Sequence, residues 1–148
     1  MKDIFIELSQ NKIFLTTVLA WVAAQSIKVS IGVIREKRFN FRWFIGTGGM
    51  PSSHATGAAC LATAIGLDYG FDSVYFALAA AFALVVMFDA QGVRRASGKQ
   101  AHILNKIMDD IYWQGRIQEN RLRELIGHTP IEVIGGLLLG IVIAVLCH

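Results

Sequence analysis

Four apolar segments constrain the fold of this chain more strongly than any other feature. They cover residues 13–34, 54–67, 74–88 and 131–147. The first and last approach the ~20 residues that a helix needs to cross a bilayer, and the third reaches a spanning length if it extends to Ser73 and Ala90. The second is short and rich in Ala, Gly and Thr, which fits a helix packed among others, a re-entrant segment or a span in a thinned region. Because 54% of the residues are hydrophobic and no segment alternates as barrel strands do, the sequence predicts an all-α integral membrane helical bundle.

The chain contains no linker or repeat that would divide it, so residues 1–148 are expected to form a single membrane-embedded domain. The polar stretch 92–128 carries apolar residues at the spacing of an amphipathic helix: Ile103, Leu104, Ile107, Met108 and Ile111. We therefore expect about four membrane-embedded helices plus one interfacial helix. The first apolar segment has no small-residue cleavage pattern, which predicts a retained anchor rather than a signal peptide. Cys60 and Cys147 lie in apolar segments and are expected to be packing residues rather than parts of a disulfide or a metal site.

Basic residues indicate the orientation of the bundle. The loops after the first and third apolar segments lie on one membrane face and hold most of the cations: Arg35, Lys37, Arg38, Arg42, Arg94, Arg95, Lys99, Lys106, Arg116, Arg121 and Arg123. The loop between the second and third segments has Asp68 and Asp72 and no Lys or Arg. The positive-inside rule therefore predicts a multi-pass protein of the cell membrane with its basic face in the cytoplasm, although cations that bind phosphate would lie there for chemical reasons. The cations lack the interleaved aromatic residues of nucleic-acid binding, so no nucleic-acid partner is expected.

Two polar groups flank the first loop on that face. Lys28 and Arg35 are seven positions apart, so both lie on roughly one side of a continuing helix. An intramembrane Lys either snorkels to the interface or faces the bundle as a phosphate ligand. The segment 47–54, Thr-Gly-Gly-Met-Pro-Ser-Ser-His, opens the second apolar segment. Its glycines let backbone N–H groups surround an anion, and a helix that begins near Pro51 would direct its positive dipole end there. A plain turn with an N-cap is the structural alternative.

His128 and Glu132 form a third polar group at the start of the fourth apolar segment. They are four positions apart, so Glu132 can accept a hydrogen bond from the imidazole and fix its tautomer. Glu132 is the only charged residue in its segment, so a partner is expected. Counting antiparallel helices places all three groups on one membrane face. Two histidines, cations and hydroxyls without a Cys or carboxylate cluster suggest phosphoryl transfer without metal or cofactor, in which one His attacks and the other protonates the leaving alkoxide.

These groups resemble the motifs of the type 2 phosphatidic acid phosphatase superfamily, which includes the vanadium haloperoxidases, and more closely those of its short divergent membrane branch. The first motif, Lys, six residues, Arg-Pro, matches at Lys28 and Arg35, with Glu36 in place of the Pro. The second, Pro-Ser-Gly-His, matches at Pro51, Ser52 and His54, with Ser53 in place of the Gly. The third, Ser-Arg, five residues, His, three residues, Asp, corresponds to Arg123, His128 and Glu132, with one residue fewer after the Arg and Glu in place of Asp.

The resemblance implies a role for each matched residue. His128 would be the nucleophile that forms a phosphohistidine, Glu132 the carboxylate that orients it, and His54 the general acid. The phosphate would be held by five residues: Lys28, Arg35, Ser52, Ser53 and Arg123. The stretch 89–105 looks like the signature of the divergent branch and has no counterpart in the three motifs. It adds three candidates, Asp89, Arg94 and Arg95. The two arginines reach the phosphate or a lipid headgroup in one interpretation and form a basic interfacial helix cap in the other, and Asp89 pairs with one of them.

The leading hypothesis is an integral membrane phosphatase that hydrolyses a lipid phosphate, of the phosphatidylglycerol phosphate or phosphatidate type, through a phosphohistidine. A site at the level of the cytoplasmic headgroups favours such an amphiphilic substrate. A lipid-linked phosphotransferase with the same intermediate is one alternative, and a non-catalytic membrane protein that binds anionic lipid headgroups is another. Because four spans are few for enclosing a polar site, we also expect a homo-oligomer.

Overall fold

A computed structural model describes residues 2–37, 49–92, 98, 100–105, 108 and 128–148 of the chain. Five helices are defined in it: α1 (Lys2–Gln10), α2 (Lys12–Glu36), α3 (Ser53–Tyr69), α4 (Val74–Gln91) and α5 (Pro130–Cys147). The described residues contain no strand. The predicted all-α helical bundle is therefore confirmed.

Helices α2 to α5 coincide with the four apolar segments, and polar caps fix where they begin. The side chains of Asn11, Ser52, Ser73 and Thr129 each accept a hydrogen bond from a backbone N–H in the first turn of the helix that follows. Such caps satisfy N–H groups that lack a partner within the helix. The structure also contains α1, a helix that we did not predict. Its signal is present in the sequence, where Asp3, Glu7 and Gln10 recur at helical spacing before the Asn11 cap.

Within the described part of the chain, three helices are long and apolar enough to cross a membrane: α2 with 25 residues, α4 with 18 and α5 with 18. The shorter α3, with 17 residues, contacts all three of them. It has nine buried residues, six of them alanine or glycine. Of the three structures that we considered for the second apolar segment, the observed one is a helix packed among the others, as its small residues favour.

Small residues let α5 approach α3 closely. A Cβ atom added to Gly136 would lie 2.5 Å from the carbonyl oxygen of Ser52, and one added to Gly140 would overlap the carbonyl oxygen of Thr56. Ala144, one turn further along, is buried in a cluster with Ala20 and Cys60. Small residues at every fourth position are typical of helix pairs in membranes, where close van der Waals contact holds helices together. The start of α3 is thereby fixed against the first turns of α5.

The remaining sequence predictions about the fold have mixed outcomes. Residues 100–105 are helical, as the amphipathic pattern in 92–128 predicts, whereas Ile107 and Ile111 lie outside the described residues. Cys60 is buried, but Cys147 is exposed, so the prediction of a packing residue was wrong for Cys147. An apolar position in a membrane helix faces either the bundle or lipid, because both surroundings are apolar.

We expect Gly140→Ala to destabilise the bundle by about 1–3 kcal/mol, because the new methyl group meets the backbone of α3 rather than a side chain that can move. Gly57→Ala is the matched control, since a Cβ atom at that position of α3 meets no atom within 4 Å. Thermal unfolding in detergent should show a lower melting temperature for the first variant and an equal or higher one for the second. Equal melting temperatures for Gly140→Ala and the wild type would contradict the close α3–α5 contact.

Candidate active site

His128 lies two residues before the start of α5 and is almost completely buried, with 2% of its surface exposed. Its backbone N–H donates a hydrogen bond of 3.1 Å to the carbonyl oxygen of Ala90, in the last turn of α4. The last carbonyl groups of a helix have no partner within that helix, so they can accept hydrogen bonds from elsewhere. The end of α4 thus holds the backbone of His128 in place.

Glu132 orients the His128 imidazole. The Nδ1 atom of His128 is 3.1 Å from Oε2 of Glu132, and the same oxygen accepts the backbone N–H of Thr129 at 3.0 Å. Thr129 and Glu132 form a capping box at the start of α5, which fixes the carboxylate. A carboxylate beside Nδ1 accepts the proton that this nitrogen carries, so the neutral imidazole has its lone pair on Nε2. The expected contact between His128 and Glu132 is present although the helix begins between them, at Pro130.

His54 faces His128 across the site. The centroids of the two imidazole rings are 6.4 Å apart, and the ring planes are inclined by 60°. A backbone hydrogen bond of 3.0 Å from the N–H of Ser52 to the carbonyl oxygen of Glu132 joins the start of α3 to the first turn of α5. The structure therefore brings the second and third polar groups of the sequence together at one end of the bundle.

Ser52 and Ser53 are both buried beside His54, at the N-terminus of α3. The Ser52 hydroxyl accepts the N–H of Ala55 at 3.4 Å and so acts as the N-cap. A hydroxyl oxygen that accepts one hydrogen bond can still donate its own hydrogen to another group. Capping and phosphate binding are therefore compatible for Ser52. The N-terminus of α3 also directs its positive dipole end toward this region.

Lys28 faces the bundle rather than the interface. Only 8% of its surface is exposed, and the Glu132 carboxylate acts on its ammonium group electrostatically. Gly49 packs against the aliphatic part of the Lys28 side chain, since a Cβ atom on Gly49 would be 3.4 Å from Cγ of Lys28. Gly49 has a φ of +86°, a conformation that favours glycine. Of the two interpretations of Lys28 that the sequence left open, snorkelling does not fit this burial.

The remaining predicted site residues are Arg35, Asp89 and three arginines of the later loop. Arg35 is exposed in the last turn of α2, so only Lys28 of that pair is buried. Asp89 lies in the last turn of α4, beside Ala90. Arg94, Arg95 and Arg123 lie outside the described residues.

Three features of the site were missed in the sequence. Gln25 is buried on the same face of α2 as Lys28, three positions earlier. A polar residue within a membrane-spanning segment was the signal, because such residues usually face the bundle interior. Thr129, Pro130 and Glu132 fit the Thr-x-x-Glu pattern of a capping box, which predicts both the start of α5 and the fixed carboxylate. The hydrogen bond from His128 to Ala90 has no local signal in the sequence.

Comparison with known proteins identifies the family of the chain. The model of the family described as "Divergent PAP2 family" matches residues 9–143. The chain is 39% identical to the uncharacterized membrane protein YuiD of Bacillus subtilis (strain 168), in an alignment that covers 93% of this chain and 94% of that protein. No solved structure matches the chain.

Proposed function

Because the chain belongs to the Divergent PAP2 family, we propose that it is an integral membrane phosphatase that hydrolyses a lipid phosphate through a phosphohistidine on His128. One observation carries this proposal. The imidazole of His128 is buried, paired through Nδ1 with a fixed carboxylate and opposed by a second imidazole, His54, at the end of a membrane helix bundle. A paired, oriented imidazole is the arrangement that nucleophilic catalysis by histidine requires.

The reaction has two steps. In the first, Nε2 of His128 attacks the phosphorus atom, the bond from phosphorus to the lipid oxygen breaks, and protonated His54 donates its proton to that oxygen. In the second, a water molecule attacks the phosphohistidine, neutral His54 accepts the proton of the water, and inorganic phosphate leaves. Glu132 stabilises the positive charge that develops on the phosphorylated imidazole.

The bound phosphate meets a positive environment. Lys28 supplies a buried positive charge, and the N-terminus of α3 supplies backbone N–H groups together with the hydroxyls of Ser52 and Ser53. These groups stabilise the equatorial oxygens as charge redistributes in the transition state. Arg35 and Arg123 complete the set of phosphate ligands in this proposal.

The substrate is a lipid phosphate monoester, of the phosphatidylglycerol phosphate or phosphatidate type. Support comes from the position of the site, at the ends of helices that are long enough to cross a membrane, where lipid headgroups lie. The positive-inside rule supports a cytoplasmic position for this end, because the basic loops of the sequence lie on this side. The protein acts as a homo-oligomer in this proposal, because four embedded helices leave little protein around a polar site.

The test is phosphate release by purified wild-type protein in mixed micelles that contain lipid phosphate monoesters, with a metal chelator present. We expect inorganic phosphate from a diacyl phosphate monoester at an unchanged rate when the chelator is added. A mock purification from cells that lack the chain controls for contaminating phosphatases.

Three results would overturn the proposal. Release that needs an added divalent metal would contradict the proposed mechanism. Consumption of substrate with transfer to an added lipid alcohol, and without inorganic phosphate, would identify a phosphotransferase. Binding of anionic lipid by folded protein without any consumption would identify a non-catalytic binder.

A further inference from the structure

A groove of about 1010 Å³ opens at the end of the bundle opposite to His54 and His128. Helix α3 begins at the end that holds these two histidines and α2 ends there, whereas the groove lies beside the start of α2 and the end of α3. Its walls also include α1 and the first turn of α4. Fifteen residues of helix separate His54 from Tyr69, or roughly 22 Å. This far-face groove is therefore a separate site on the other membrane face.

Helix α1 turns its polar edge toward the far-face groove. Glu7 and Gln10 line the groove, whereas Ile4, Phe5 and Leu8 are exposed on the outside of the helix. In water this arrangement would be unfavourable, but an apolar outer surface suits a helix at the boundary of the lipid. The polar edge of α1 therefore faces the groove, where it can contact a polar occupant.

The side chains that line the groove change from charged at its outer end to apolar at its inner end. Glu7, Lys12 and Asp68 line it at the level where the helices begin and end, and Asp68 is also 3.3 Å from His148. Ile65 and Leu61, one and two turns deeper on α3 than Asp68, line its inner part. A phospholipid has the same gradient, with a charged headgroup at the interface and acyl chains below it.

The charges select one class of headgroup. Two carboxylates and one ammonium line the groove, and one of the carboxylates, Asp68, also contacts the imidazole of His148 at 3.3 Å. The lining carboxylates outnumber the single ammonium, which disfavours a phosphate monoester that carries no positive charge. A headgroup with both a phosphate and a primary amine matches both signs. A primary ammonium donates hydrogen bonds to carboxylates, which a trimethylammonium group cannot do.

We propose that the far-face groove binds one phospholipid with a phosphoethanolamine headgroup. Its phosphate lies against Lys12, its ammonium lies between Glu7 and Asp68, and an acyl chain follows Leu61 and Ile65 toward the membrane centre. The bound lipid fastens α1 to the bundle. It belongs to the leaflet opposite to the phosphatase substrate, so this site does not depend on the proposed chemistry.

The test is native mass spectrometry of delipidated full-length protein in detergent, with equal amounts of phosphatidylethanolamine, phosphatidylcholine and phosphatidylglycerol of identical acyl chains. We expect one retained phosphatidylethanolamine per chain, favoured about fivefold over each of the other lipids, which corresponds to about 1 kcal/mol. In the double variant Glu7→Gln, Lys12→Gln this preference should disappear. Asp3→Asn on α1 and Lys37→Gln at the other end of α2 remove the same charges outside the groove and should retain it.

Several outcomes would overturn the proposal. Equal retention of the three lipids would identify unspecific boundary lipid, and preference for phosphatidylglycerol would identify an anion site. A doubled protein mass without lipid, lost in the double variant, would make a second copy of the chain the occupant. Circular dichroism of the double variant verifies that it is helical, and both substitutions are at exposed positions. The assay contains no lipid phosphate monoester, so its result is independent of the phosphatase test.

Discussion

Replacing His128 by Asn is expected to lower phosphate release from a lipid phosphate by about 10³-fold or more, because the nucleophile of the proposed reaction is removed. The Asn side chain is smaller than the imidazole, and its amide can donate a hydrogen bond to Glu132. The buried carboxylate therefore keeps a polar partner. The substrate still binds through groups that the variant retains. The loss should therefore be in kcat, with a small change in KM.

The same prediction is checked on the intermediate itself. A substrate with labelled phosphate, quenched in base during turnover, should leave label on wild-type protein that acid then removes, as for a phosphorus–nitrogen bond. His128→Asn should carry no label. His102→Asn is the matched control. His102 is exposed in the helical residues 100–105, so the substitution removes an imidazole away from the site. Label on His128→Asn equal to that of the wild type would exclude His128 as the nucleophile.

The variant Glu132→Gln, tested in the same labelling experiment, shows how much the Glu132 carboxylate contributes to the reaction of His128. Gln preserves a capping box, so α5 should begin at the same residue. The amide lacks the negative charge that stabilises the phosphorylated imidazole, so label should form more slowly by about 10–10²-fold. A variant whose melting temperature falls as much as its activity would indicate a structural effect of Glu132 instead.

The sequence carries the parts of this fold that depend on local signals. Segment length and composition predict the four embedded helices, and the four-residue spacing of His128 and Glu132 predicts their contact. Antiparallel order alone brings the starts of α3 and α5 to one end. These properties depend on residues that are close in the chain, or on the order of helices.

Other parts depend on packing between helices, which local pattern does not determine. Lys28 and Arg35 lie on one side of α2, yet one is buried and the other exposed. This difference in burial depends on how far the neighbouring helices extend along α2. The hydrogen bond from His128 to Ala90 likewise requires the end of α4 to lie beside the start of α5. The small-residue spacing of Gly136, Gly140 and Ala144 does indicate in the sequence that α5 approaches another helix closely.

Replacing His54 by Asn is expected to lower release from a lipid phosphate by about 10²–10⁴-fold, because the alkoxide that leaves is strongly basic and needs a proton in the transition state. A substituted aryl phosphate has a weakly basic leaving group that departs without this proton. For that substrate the first step should be nearly unaffected by the substitution. The size of the defect should therefore fall as the leaving group becomes more acidic.

In the second step, in which water attacks the phosphohistidine, His54 is required as a base for every substrate, because the leaving group has already departed. His54→Asn with an aryl phosphate should consequently release a burst of about one phenol per active site, followed by slow turnover, while labelled phosphate accumulates on His128. The His102→Asn variant should behave as the wild type with both substrates. A burst identifies His54 as an acid in one step and a base in the next, as the 6.4 Å separation of the two rings allows for an intervening phosphoryl group. An equal loss with lipid and aryl phosphates, and no burst, would instead make His54 a phosphate ligand.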